Sequence, residues 1–507
     1  MKKYIIYSLM LIAGAISGCK KNFYDLTNPN QPTSASAALV LPSALSTSAA
    51  LVNGSYTVYG YWMGYLSPAA GYAPSQSLLT YNFTTSDYQV WTGYYLNLAN
   101  YDYILKQTAG DKTQVYFNSI AQIMTAYGFE GLVDNYNNVP YTKAFQGSAN
   151  LLPTYDKGPD IYADLIKRLD GAIAAINGAD TKVAVSPSSA DIVFAGNMTK
   201  WKQFANTLKL RLILRQSNTG NFATVAGGVS TTAAEGYLTA DAGANPGYQN
   251  IDGKQNPFWN VYGYSQSGAT KSPATTGGAY AVGLFKSNSD PRGPIFYQPV
   301  NGDIIGNQFG AAVPVTASNF GTNVISGGSF VSGSGLLKSP YMDAVLFSAA
   351  ESYFLQAEAK FRNLATSGTA TAEALYNSGI KASFESAYIS YSGTNKTTNN
   401  SAADADATTY YSQQKNNVNY GASTDKLQAI ITQKYLAITG YNMLEAYNEY
   451  RRTGFPNPPA SIANGALGGG KLPTRIFYPN SEYQQNAANV GAEGTINQFT
   501  SKIFWAK

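Results

Sequence analysis

Helical periodicity on both sides of a long Gly-, Ser- and Thr-rich middle constrains the fold of this 507-residue chain more than any other feature. Trp91, Tyr94, Tyr95 and Leu98 fall at i, i+3, i+4 and i+7, so the sequence from residue 87 predicts a helix with one apolar stripe. Residues 114–134 repeat the pattern through Phe117, Ile120, Ala121 and Met124, and the two segments pair as an αα-hairpin. Two further stripes follow: Ile161, Leu165, Leu169, Ile173 and Ile176 in 160–176, then Trp201, Phe204, Ala205, Leu208 and Leu212 in 200–216. Helical spacing returns at 343–364, 370–387 and 425–450. Ser36 caps an earlier helix through Leu41, which Pro42 interrupts and which resumes towards Val52.

Between these blocks, residues 218–340 read as one loop-rich insertion, with short strands expected at 295–297 and 310–315. A connection of that length is usually functional or disordered, and Phe258, Trp259, Tyr262, Tyr264 and Tyr280 argue against disorder. The Asn-, Ala- and Asp-rich interval 391–412 is expected to be exposed. Small and aromatic residues recur through Ala357, Tyr376, Ala382 and Phe384 in the manner of tetratricopeptide-like helix pairs, without a clean 34-residue repeat. The expected fold is mainly α: an α-solenoid-like scaffold of such pairs with a large loop insertion.

The N-terminus adds an address. Lys2 and Lys3 precede an apolar run from Tyr4 to Ile16, too short for the ~20 residues that span a bilayer as a helix. Ile16-Ser17-Gly18-Cys19 ends that run, and Cys19 is the only cysteine in the chain. The segment resembles a bacterial lipoprotein signal, with residues 1–18 removed and the thiol of Cys19 lipidated. Because each buried methylene contributes ~0.8 kcal/mol and two or more chains hold stably, such a protein stays on its membrane. Residues 20–36, with two prolines and many small polar residues, form the tether. No later stretch has ~18 consecutive apolar residues, so the remainder reads as a soluble body.

Removing residues 1–18 takes Lys2 and Lys3 from the 34 basic residues, leaving 32 against 29 acids. That near-neutral balance, with no basic stripe beyond Lys20-Lys21 and Arg451-Arg452, excludes nucleic acid as an expected partner. Charged residues are only 12%, whereas there are 40 tyrosines, which predicts an uncharged, polar, tyrosine-rich surface suited to ligands that stack and hydrogen-bond, such as carbohydrates. The chain has no histidine, which removes Ser-His and Cys-His nucleophile pairs and histidine metal sites. Chemistry run by two carboxylates or by lysine survives.

The candidate catalytic and metal motifs are weak. Gly465 to Lys471 resembles a phosphate-binding loop but ends in Leu472 where Ser or Thr is required, with Pro473 next. Asp404-Ala-Asp406-Ala-Thr408 alternates like a calcium loop but lacks the turn glycine and the closing glutamate. Glu351 and Glu358 share a helix face ~10.5 Å apart, wider than a glycosidase pair, and are expected to pair with arginines such as Arg211 and Arg215. No catalytic residue, metal site or cofactor is therefore expected. The ligand-binding candidates are the aromatics in punctuated loops, Trp62, Tyr65, Tyr72, Trp259, Tyr262 and Tyr264, read as a stacking platform because loops lie on the surface.

The order of short motifs carries a resemblance. Asn28-Pro29-Asn30-Gln31-Pro32-Thr33 is followed by Asn138-Val139-Pro140-Tyr141, then by Trp201-Lys202-Gln203-Phe204-Ala205-Asn206 and Asp290-Pro291-Arg292. Glu351 to Ala359, Tyr376 to Ile380, Gln433-Lys434-Tyr435, Tyr450 to Pro456 and Arg475 to Glu482 complete it. In this order they resemble the SusD/RagB-like nutrient-binding outer-membrane lipoproteins of Bacteroidetes. The resemblance implies one SusD-like domain over 37–507, with 218–340 on the ligand side, and a protein that binds rather than catalyses. It also implies an outer-membrane lipoprotein facing the exterior, an oligosaccharide or peptide ligand, and a SusC-like TonB-dependent barrel as partner. A carboxylate-dependent glycan-degrading enzyme and a non-binding structural partner of the barrel stay open as alternatives. Two positions depart from the family pattern: Asn137-Asn138 stands where Gly-Asp is usual, and Lys20-Lys21-Asn22 follows Cys19, with the first acid at Asp25.

Overall fold

The computed structural model describes residues 35–507 apart from 230–234, 322–323, 327–328, 334, 365 and 367; Cys19 and the tether through Ser34 lie outside the described residues. Among the described residues, ten helices of eleven residues or more form the scaffold: α1 Ala37–Gly54, α2 Trp91–Gln107, α3 Val115–Tyr136, α4 Gly158–Asn177 and α5 Met198–Arg215 before the middle region. After it come α6 Ala349–Phe361, α7 Ala372–Tyr388, α8 Asn400–Tyr411, α9 Lys426–Ala437 and α10 Met443–Thr453. Consecutive helices pack as pairs, α2 on α3, α3 on α4, α4 on α5, then α6 on α7 and α7 on α8, while α5 meets α6 and joins the two blocks. The stripes read from the sequence are the packed faces: Ile161, Leu165 and Leu169 on α4 and Trp201, Phe204 and Leu208 on α5 are buried. At ~25 cal/mol per Å² of apolar area removed from water, these stripes, not intrinsic helix propensity, hold the pairs.

Local chemistry moves several boundaries. Helix α1 runs through Pro42 without a break, its Leu41, Leu45 and Ala49 fully buried. By mean hydropathy Ala37–Trp62 is long and apolar enough to cross a membrane, yet α1 packs on α2 and on a strand of the core. The expected helix 343–364 begins as a strand, because Ser348 caps α6 by accepting from the Glu351 amide at 3.1 Å and leaves 344–347 to pair. The expected helix 425–450 is two helices, α9 and α10. Gly440 between them has φ +92°, which a side chain would strain, and Asn442 caps the second. Residues 391–412 are not simply exposed: 400–411 is α8, with Ala403, Ala407 and Tyr410 buried against α7.

Among the described residues, eight short strands form three small antiparallel sheets: β1 Leu66–Pro68, β2 Ala242–Ala244, β3 Thr275–Gly277, β4 Val324–Ser326, β5 Ser329–Gly333, β6 Ala344–Phe347, β7 Ser390–Ser392 and β8 Asn395–Thr397. β1 pairs with β3, β2 with β6, and β4-β5-β7-β8 form the third sheet. The middle region is a folded part of the core rather than a loop domain: Phe258, Phe285, Phe296, Tyr297 and Phe320 are buried there. Instead of the two expected strands, 293–296 is a helical turn and 310–315 carries no strand.

The expected tyrosine-rich surface is corrected in the same way. Many tyrosines are buried, their hydroxyls donating to backbone carbonyls across the fold: Tyr65 to Tyr435 at 2.6 Å, Tyr435 to Met63 at 2.8 Å, Tyr127 to Leu346 at 2.7 Å and Tyr447 to Pro473 at 2.6 Å. Each ring fills apolar space while its hydroxyl ties a carbonyl of a distant segment.

Candidate functional site

The carboxylates that could have run chemistry are buried in ion pairs. Helices α3, α5 and α10 each present two charges one turn apart, Glu130/Asp134, Arg211/Arg215 and Glu445/Glu449, and these meet at the centre of the scaffold. Arg211 donates to Glu130 at 2.9 Å and to Glu351 at 3.1 Å, and Lys434 reaches Glu449 at 2.8 Å. Glu358 takes a bidentate fork from Arg452 at 2.6 and 2.7 Å and a third bond from Arg362 at 2.8 Å. Of the expected pairings, Glu351 with Arg211 holds, whereas Glu358 uses Arg452 and Arg362. Burial raises Glu130 to about 7 against the pull of Arg211. Burial acts on Glu358 too, but Arg452 and Arg362 prevail and hold it down to about 2. The signal that could have found the other partners is the matched i, i+4 spacing of Glu130/Asp134 and Glu445/Glu449 against that of the arginines.

Neither weak motif forms a site. Among the described residues, no cluster of three or more His, Cys, Asp or Glu could hold a metal ion. Asp404 and Asp406 lie on α8, where Asp404 pairs with Lys381 at 2.9 Å and Asp406 accepts from Tyr388. Residues 465–472 are a loop with no helix after them.

Of the six loop aromatics, the structure buries four. Trp62 is 1% exposed, enclosed by the rings of Tyr59, Tyr81, Phe83, Tyr88 and Tyr447. Tyr65 is fully buried and stacked on Tyr435 at 4.3 Å. Trp259 donates its indole N–H to the Tyr264 carbonyl at 3.0 Å, and Tyr262 is buried between Phe258 and Phe320 with its hydroxyl on Thr57 at 2.7 Å. Their faces are taken by protein, so the expectation that they lie on the surface is corrected. The glycines and prolines that punctuate 56–81 turn the chain inward as well as outward, and a short run of aromatics has no period to tell which.

Tyr72 and Tyr264 remain accessible, the first 48% exposed and the second half-buried. Tyr72 lies just past β1, and Tyr264 bridges to Thr270 ahead of β3, while the two strands themselves are largely buried. Tyr65 and Trp259 brace these two segments. The Tyr297 hydroxyl donates to the Tyr65 carbonyl at 3.0 Å, and Trp259 and Gln255 both donate to the Tyr264 carbonyl. The space beside Tyr264, edged by Thr270, Ser272, Thr275 and Asn319, is only about 20 Å³, so a ligand there must lie across the surface. Tyr280, half-buried and accepting from the Asn457 amide at 3.1 Å, ties the 456–470 loop to the segment after β3. No single spacing in the sequence marks it.

The helical scaffold encloses its internal acids in ion pairs and leaves Tyr72 and Tyr264 accessible. Residues 29–479 match the SusD-like family described as "Starch-binding associating with outer membrane", and the chain belongs to this family. Its fold is that of solved structures of the group. One is a SusD/RagB family protein from Bacteroides thetaiotaomicron, at 20% identity and TM-score 0.71, covering 93% of this chain and 99% of that one. A SusD homologue from Bacteroides fragilis has 19% identity and TM-score 0.71, with 94% and 100% covered. A chitin-binding SusD homologue from Flavobacterium johnsoniae has 22% identity and TM-score 0.69, with 92% and 98% covered. No functionally curated protein matches the chain significantly in sequence. Asn137, where the family's glycine is usual, has φ +69° and ψ −80°, a rare and strained backbone conformation for a residue with a side chain. Asn138, in place of the acid, accepts from the Gly158 amide at 3.0 Å and donates to Glu493 at 2.6 Å.

Proposed function

We propose that this chain is a lipid-anchored outer-membrane protein that captures an oligosaccharide at the accessible Tyr72 and Tyr264 and delivers it to a SusC-like TonB-dependent transporter. The observation that carries the reading is the family match over 29–479, a family described as starch-binding and associated with the outer membrane. The chitin-binding relative supports a carbohydrate over a peptide. The enclosure of Glu130, Glu351, Glu358 and Glu445 among buried arginines supports a binder over a glycan-degrading enzyme, because a carboxylate so enclosed does not reach substrate. Cys19 would anchor the chain, and the body would face the exterior.

A flat tyrosine face gives moderate affinity, and delivery requires release; micromolar to millimolar dissociation constants correspond to about −8 to −4 kcal/mol. Calorimetric titration of the full-length chain in detergent with malto- and chito-oligosaccharides tests this. One series is expected to bind, and Tyr72→Ala with Tyr264→Ala to weaken it about tenfold, the loss of two good aromatic contacts. Silence across both series, together with no barrel recovered on affinity purification from its own membranes, overturns the proposal.

A further inference from the structure

A cleft of about 430 Å³ opens on the opposite kind of surface, the helical scaffold, between α2, α3, α4 and the 137–156 connection. None of its lining residues belongs to the β1–β3 ribbon. Its apolar wall is aromatic: Phe129 meets Tyr141 edge to face at 4.7 Å, and Phe145 packs beside them. Four carboxylates line it, Asp102, Asp156, Asp160 and Asp164, against the single guanidinium of Arg168.

These carboxylates are unequally occupied. Asp156 is used internally, accepting from the Tyr141 and Thr142 amides, each at 2.9 Å. Asp102 pairs with Lys106 at the rim. Asp164 accepts from the Tyr141 hydroxyl, and Arg168 stands 3.8 Å away while donating to Gln122. Asp160, exposed in the first turn of α4, has no ion-pair partner among the described residues. Deeper in the same wall, Thr125 on α3 is 6% exposed and its hydroxyl has no hydrogen-bond partner. A buried hydroxyl without a partner costs more than its bond would contribute, so a polar group that reached Thr125 would be favoured.

We propose that the cleft binds a small organic cation, a protonated amine on a compact ring, with the ring against Phe145 and Tyr141, the ammonium towards Asp160 and Asp164, and a ligand hydroxyl supplied to Thr125. An excess of carboxylate beside aromatic faces selects a cation over an anion or a neutral analogue of the same shape. The volume suits one or two sugar-sized rings. This site stands independently of the Tyr72 and Tyr264 reading.

The probe is glucosamine, titrated by saturation-transfer NMR and calorimetry into the full-length chain near pH 6, with N-acetylglucosamine as the neutral counterpart. Glucosamine is expected to bind about tenfold more tightly than N-acetylglucosamine, and the affinity to fall with added salt. Asp160→Asn, at an exposed position where folding is not at stake, is expected to remove most of that preference. Thr125→Val is expected to weaken both sugars, and Tyr72→Ala to leave both unchanged, which separates failure here from failure of the Tyr72 and Tyr264 site. Equal affinity for the two sugars, an unchanged preference in Asp160→Asn, or no binding of glucosamine at tens of millimolar overturns the proposal.

Discussion

Replacing Arg452 by Met keeps most of the side-chain volume and removes the charge that holds Glu358. Arg452 gives Glu358 two bonds at 2.6 and 2.7 Å and also contacts Glu449, all in a fully buried setting. Glu358 would keep only Arg362, and Glu449 would keep Lys434 at 2.8 Å and the more distant Arg215 at 3.9 Å. Breaking a buried pair from one side costs about 3–5 kcal/mol, because the remaining charge stays desolvated. Proton linkage gives a comparable figure: Glu358 at about 2 against an ordinary 4.5 contributes about 3 kcal/mol above pH 4.5. The sign follows from the depressed folded-state value: the contribution is full above the unfolded value and is lost as pH falls through 2, leaving about 1 kcal/mol at pH 3. The destabilisation in Arg452→Met should therefore shrink by about 2 kcal/mol between pH 7 and pH 3. Denaturant titration followed by tryptophan fluorescence reads this, since Trp505 lies 5.3 Å from Arg215 in the same network. A loss under about 1 kcal/mol at pH 7, or one equal at both pH values, refutes the reasoning.

Glu130, raised to about 7, has the opposite slope: the folded state holds its proton more tightly than the unfolded chain, so stability falls as pH rises from 4.5 to 7 and is level above. Melting temperatures at pH 5 and pH 8 should show that decline, and Glu130→Gln should flatten it. Gly278→Ala would set a Cβ 2.2 Å from the Gly64 carbonyl, backbone that cannot yield locally; about 1–3 kcal/mol of overpacking and a displaced ribbon are expected, read as a lower melting temperature and weaker oligosaccharide titration. Cys19→Ala should move the chain from the membrane fraction to the soluble fraction, and retention in the membrane would refute lipidation at that thiol.

The scaffold was legible because burial on one face of a helix leaves a period. The stripes of α2 to α5 repeat at 3.6 residues, and their apolar positions are the packed ones. Where one polar side chain redirects the backbone, the period misleads. Ser348 releases 344–347 to a strand, and Gly440 divides a continuous apolar run into α9 and α10, both by local hydrogen bonding or dihedral freedom that a stripe cannot register. In the middle region the period fails altogether, since Phe285, Tyr297 and Phe320 meet through loops and two-stranded ribbons whose pairing joins residues two hundred positions apart, as β1 and β3 do.

The tyrosines explain why the site was less legible than the scaffold. In residues 56–81 a tyrosine facing solvent and one tying a buried carbonyl have the same kind of neighbours in sequence, because glycines and prolines punctuate the whole segment. Tyr65 and Tyr72 are seven residues apart in one such segment, yet the first is stacked on Tyr435 with its hydroxyl on a carbonyl and the second is half exposed. Substitution to Phe separates the two roles. Tyr65→Phe leaves the Tyr435 carbonyl without its donor in a dry interior, which should cost about 1–3 kcal/mol of stability while sparing affinity, provided the ribbon holds. Tyr72→Phe keeps the stacking face and should leave stability within about 0.5 kcal/mol, as for surface changes, with any loss confined to oligosaccharide binding. A stability loss at Tyr72 with none at Tyr65 would mean that the interior and the face have been assigned the wrong way round.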